Sequence, residues 1–109
     1  MSDSPPSSRA VRVVLVYEPD PMSEPYSFDV MLDNAGRIAD AACAYGVCGD
    51  YPAVLKSDGA IDFGPAMDAA SRYYRTDLRM QPMTPGAQIV VRDAENQPWI
   101  YRVESVTPR

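Results

Sequence analysis

The chain contains no histidine. Histidine is the side chain that changes charge near neutral pH, so its absence removes the usual general base, the usual imidazole metal ligand and every nucleophilic triad built on one. Lysine is nearly absent as well: Lys56 stands alone beside nine arginines, fifteen carboxylates oppose them, and the formal net charge is −5. A chain of that sign repels a polyanion and forgoes counterion release, which argues against nucleic acid and favours a basic protein as partner. No apolar run approaches the roughly 20 residues of a membrane-crossing helix. The most apolar segment, Ala10–Tyr17, is interrupted by Arg12 and closed by Glu18-Pro19, so no membrane role is expected. Residues 1–9 lack the basic cluster and apolar core of a secretory signal and read as a disordered leader, which places the protein in the cytoplasm.

Cysteine is scarce too. Cys43 and Cys48, without histidine, fall short of the four ligands of a structural zinc site and read as reduced, partly buried thiols of a cytoplasmic protein. Whether they ever bridge depends on residues 37–45, which suit a third strand and a short helix equally. Neither glycine-rich phosphate-loop pattern occurs, so no cofactor is expected.

What is present is the composition of one folded domain, spanning residues 10–109. Hydrophobic residues make up 46% and charged residues 23% of 109, a globular balance at a length that supports a single core. Ala10–Tyr17, dense in β-branched residues, reads as a central strand. Tyr26–Leu32 alternates, with Tyr26, Phe28, Val30 and Leu32 inward, and is expected to pair antiparallel with it. Gly46–Pro52 reads as a loop, and Ala53–Lys56 with Ala60–Phe63 as a hairpin around Ser57-Asp58-Gly59. Gly64-Pro65 opens a predicted helix to about Met80, its apolar face formed by Met67, Ala70, Tyr74 and Leu78. Ala87–Arg92 and Trp99–Val106 form a final hairpin whose core face holds Trp99, Tyr101 and Val103. The expected fold is α+β: an antiparallel sheet of about five to six strands with one main helix, about 65–80, packed across it.

Candidate chemistry is sparse. Asp50, Asp58 and Asp62 surround Gly59 but lack the ligand spacing of a helix–loop–helix calcium site, and read as turn and surface groups. Cys43 as a nucleophile has no histidine to deprotonate it. Arg72, Arg75 and Arg79 recur at helical spacing and would line one helix face, able to dock carboxylates or phosphates. The leading candidate contact surface is acidic: Glu18, Asp20 and Glu24 on a proline-stiffened loop, with Asp29 and Asp33 on the adjoining strand. Such a loop loses little entropy on binding. Tyr26, Tyr51 and Tyr73 or Tyr74 could supply aromatic anchors.

A small, acidic, histidine-free domain without a catalytic motif is similar in general character to bacterial immunity proteins and antitoxins. The likeness is one of size and charge. It implies a non-enzymatic, stoichiometric inhibitor that neutralises a basic toxin by direct binding, as a monomer or small homo-oligomer. The alternative is a structural or adaptor subunit of a phage or secretion assembly, and third comes a small enzyme using carboxylates or Cys43.

Overall fold

The computed structural model describes residues 8–39 and 44–109. Eight strands follow in chain order: β1 Arg9–Tyr17, β2 Tyr26–Leu32, β3 Ala44–Cys48, β4 Tyr51–Leu55, β5 Ala60–Asp62, β6 Tyr73–Thr76, β7 Gln88–Arg92 and β8 Pro98–Pro108. Each pairs antiparallel with its neighbours and β8 returns to β1, closing an up-and-down barrel. The α+β expectation with a main helix is therefore wrong.

The reason lies in residues 64–80. Their apolar spacing fits a helix, but helix propensity is a weak force and the paired alternative closes the sheet. Were Tyr73–Thr76 helical, β5 and β7 would each present an unpaired edge. Instead, Tyr73–Arg75 pair with Ala60–Asp62 on one side, and Arg75 and Thr76 with Val91 and Arg92 on the other. Residues 64–72 fold as two turns, the Met67 amide donating to the Gly64 carbonyl and the Ser71 amide to that of Asp68 (3.2 and 2.8 Å). Leu78–Met80 is a single 3-10 turn.

The second correction concerns Gly46–Pro52, expected as a loop and found as the β3–β4 hairpin, with Gly49 at φ +63° in its two-residue turn. Gly46 lies within β3 because the ring of Phe28, its cross-strand partner, fills the space above it. A Cβ there would stand 2.4 Å from Phe28 Cδ1 and 2.3 Å from the Ser27 carbonyl oxygen. Of residues 37–45, Ile38 bridges Leu32 and Ala44 and Tyr45 open β3, while Cys43 lies outside the described residues. The β1–β2 pairing, the β4–β5 and β7–β8 hairpins and the inward set Phe28, Val30 and Leu32 match expectation. Tyr101 and Val103 are buried, whereas Trp99 is 42% exposed because its strand position falls at the barrel's mouth.

The interior is filled rather than hollow. Val11, Val13, Leu15, Phe28, Leu32, Leu55, Ile61, Ile89, Val91 and Val103 are wholly buried along the strands. Leu78 and Met83, both buried, plug one end, where the Met83 amide donates to the Gly36 carbonyl (2.7 Å). The opposite end, reached by the C-termini of β1, β3, β5 and β7, has no such plug among the described residues. No helix among them is long and apolar enough to cross a membrane.

Candidate functional site

Because the meander alternates direction, four connections meet at the unplugged end: residues 18–25, 49–50, 63–72 and 93–97. The strand ends beneath them are aromatic. Tyr26 stacks on Tyr101 at 4.6 Å, Tyr17 lies 5.5 Å from both Trp99 and Tyr101, and Phe63 meets Tyr74 edge to face at 4.8 Å. Beside Tyr26, Phe63 and Tyr74 opens a cleft of about 470 Å³, lined by these rings and by Cys48, Tyr51 and Met67, with Glu24 and Asp50 at its rim. Barrel mouths are favoured places for such sites, and this volume suits a small ligand or one side chain.

The lining is neutral and the rim is charged. Burial raises the phenol pKa values of Tyr26, Tyr74 and Tyr101, and the Tyr26 and Tyr101 hydroxyls pair with each other. Burial likewise pushes the Cys48 thiol up to about 12, so it contributes an apolar wall and not a thiolate. Above this lining, the four connections carry seven carboxylates: Glu18, Asp20, Glu24, Asp50, Asp68, Asp93 and Glu95. Their single cation, Arg72, is already bound by Asp62, Nε to Oδ1 at 2.8 Å and Nη2 to Oδ2 at 3.2 Å. At the plugged end the described connections are balanced, with Asp33, Asp58 and Asp77 against Arg37, Lys56 and Arg79.

Two contacts shape the rim beside the cleft. The Gly49 amide donates to the Pro25 carbonyl (3.2 Å), tying the acidic loop to the β3–β4 turn. Glu24 Oε2 then lies 3.1 Å from where a Gly49 Cβ would be, so the bare glycine leaves room for that carboxylate at the cleft's edge. Across the cleft, the loop bearing Phe63, Met67 and Ser71 is anchored by Asp62, the one buried charged residue among the described residues, whose Oδ1 also accepts from the Gly64 amide (2.8 Å).

The five acids singled out in the sequence do not form one surface. Glu18, Asp20 and Glu24 are exposed at the open end, although Asp20 Oδ1 also accepts from the Met22 amide (3.2 Å). Asp29 sits on the outer wall, engaged by Arg12 (2.9 Å) and by Arg109. Asp33 lies at the plugged end, where its Oδ1 holds the turn through the Ala35 and Arg37 amides (2.8 and 3.1 Å). The three arginines share no helix face, since Tyr73–Thr76 is a strand and Leu78–Met80 only a single 3-10 turn. Arg72 belongs to the open end, Arg75 to β6 beside Asp58, and Arg79 to the plugged end, donating to the Lys56 and Leu55 carbonyls (2.9 and 3.2 Å).

Two further hollows lie on the barrel wall. One of about 360 Å³ is bordered by Arg75, Thr76, Asp77, Met80, Val90 and Arg92, and one of about 260 Å³ by Arg12, Ser27, Asp29, Tyr45, Gly46 and Val47. Much of their polar lining is engaged internally: Thr76 and Asp77 bond the Val90 backbone, and Arg12 bonds Asp29. No group of three or more His, Cys, Asp or Glu side chains among the described residues is placed to hold a metal ion.

In the sequence, Tyr26, Tyr51 and Tyr73 or Tyr74 stand out only as generic aromatic anchors, and nothing marks Phe63, Met67 or Ser71 as site residues. The available signal was positional: Tyr17, Tyr26, Tyr51, Phe63, Tyr74 and Trp99 all sit beside alternate turns, hence at one end of an up-and-down meander. Comparison of the chain with protein-family models, curated proteins and solved structures finds no match.

Proposed function

We propose that this barrel is a non-enzymatic protein-binding domain whose open end docks on a basic protein, acting in the cytoplasm as a stoichiometric inhibitor of the immunity-protein or antitoxin kind. The observation that carries the reading is the polarity of the barrel: seven carboxylates and one committed cation at the aromatic end, balanced charge on the described connections at the other. Clustered charge of one sign steers an oppositely charged partner, and aromatic rings beneath it supply desolvated anchors once contact is made. The loop with Pro19, Pro21 and Pro25 stiffens part of this face before binding.

The test compares capture of host proteins by the wild-type chain and by Glu18→Lys/Asp20→Lys/Glu24→Lys, at low and moderate salt. The triple variant changes the formal charge from −5 to +1, two units at each of three positions. One basic protein retained by the wild type at equal stoichiometry, and lost with the variant and with salt, supports the reading. Equal retention by both removes the open end from the interface.

A second reading is favoured by a different surface. Met31, Tyr45 and Val47 are 37%, 70% and 44% exposed on the outer faces of β2 and β3, an apolar strip suited to assembly. An adaptor or structural subunit using it self-associates, and Tyr45→Lys then abolishes the oligomer seen by sedimentation. A wild-type monomer at high concentration contradicts that reading.

A further inference from the structure

The open-end cleft combines three features that recognise one chemical group. Its walls are aromatic, with Tyr26, Tyr51, Phe63 and Tyr74 around about 470 Å³. Its rim carries the carboxylates of Glu24 and Asp50, both on exposed residues, and no cation among the described residues lines it. Its floor is closed by the buried Cys48. The faces of aromatic rings attract cations through their quadrupole, and the attraction grows as water is excluded. A carboxylate rim around an aromatic hollow therefore selects a cation over a neutral or anionic group of equal size.

We infer that this cleft is the receptor for a single arginine side chain of the basic partner. A guanidinium is planar, weakly hydrated and able to stack on a ring while its edge donates to carboxylates, whereas an ammonium is compact and strongly hydrated. The molecule uses the same pairing on itself nearby: Arg72 lies 5.0 Å over the Tyr73 ring while its guanidinium grips both oxygens of Asp62. In the cleft, the rings of Tyr26, Phe63 and Tyr74 supply the stacking surface, and Glu24 and Asp50 the acceptors. The inference rests on the open end being the partner-binding face, but its site is tested without the partner.

The experiment is an amide NMR titration of the full chain with ethylguanidinium, n-butylammonium and the neutral isostere N-ethylurea. Ethylguanidinium is expected to shift the Gly49, Asp50, Phe63 and Tyr74 signals saturably, with a Kd of about millimolar order for so small a probe. n-Butylammonium binds more weakly and N-ethylurea leaves these signals in place. The variant Glu24→Gln/Asp50→Asn, which removes only exposed charge, weakens ethylguanidinium binding by about three- to tenfold. Equal shifts with N-ethylurea, tighter binding of n-butylammonium, shifts that never saturate, or an unchanged Kd in the double variant overturn the inference. The two ideas fail separately. Saturable binding with a partner that ignores rim charge sinks the docking face and leaves only a guanidinium site, whereas a charge-dependent partner without probe binding sinks the arginine receptor alone.

Discussion

Asp62→Asn removes the clamp that holds one wall of the cleft. In the folded chain the Arg72 guanidinium, and then the Gly64 amide, hold the Asp62 carboxyl down from its ordinary 3.8 to about 2. Between those values the native state binds fewer protons than the unfolded chain, so stability rises with pH there. The contribution is fully present above about pH 4 and is lost as pH falls through about 2. A shift of that size sets a ceiling of roughly 2.5 kcal/mol. The Arg72 side chain is 31% exposed, so solvent screening leaves about 1–2 kcal/mol. The asparagine carbonyl can still accept from the Gly64 amide, which confines the loss to the ion pair. Thermal unfolding followed by circular dichroism at pH 7 is expected to fall by about 5–15 °C. The wild-type and variant midpoints then converge as pH falls through about 2, where Asp62 itself takes up its proton. A midpoint within about 2 °C of wild type at pH 7, or curves that stay parallel down to pH 2, would show that the Asp62–Arg72 pair does not stabilise the fold.

Two other outcomes follow from the packing. Gly46→Ala drives a methyl group against Phe28 and the Ser27 carbonyl at separations no Cβ tolerates, and costs about 1–3 kcal/mol, read as a lower denaturant midpoint with an unchanged slope. Wild-type stability in Gly46→Ala would show that the β2–β3 contact is looser than described. Cys48, buried with its thiol pushed up to about 12, is expected to alkylate at pH 8 about a thousandfold or more slowly than a free thiol. Peptide mapping separates it from Cys43, and prompt labelling of the native chain would contradict the closed floor of the cleft.

The strands were legible wherever a segment carried its own pattern. Tyr26–Leu32 alternates because it has one wet face and one dry face, and Asp93–Gln97 turns where its polar residues imply. What escaped were the segments decided by distant partners. Tyr73–Thr76 is a strand because β5 and β7 need it, and nothing in its local spacing reports that need. Gly46 looks like a breaker until Phe28 is placed across from it. The candidate site followed the same division: the acidity of residues 18–24 was plain in the sequence, but Asp29 and Asp33 left that surface once strand direction put them on the wall and at the plugged end. The aromatic cleft, assembled from three hairpin ends, depended on barrel closure and could not be read from any one of them.

Hydrogen–deuterium exchange of the chain alone and with its captured partner maps the binding face. Docking through the open end slows exchange only in residues 18–25, 49–51, 63–72 and 93–97. Protection centred on the β2–β3 wall or on the plugged end at residues 77–87, with the open end unchanged, would contradict it.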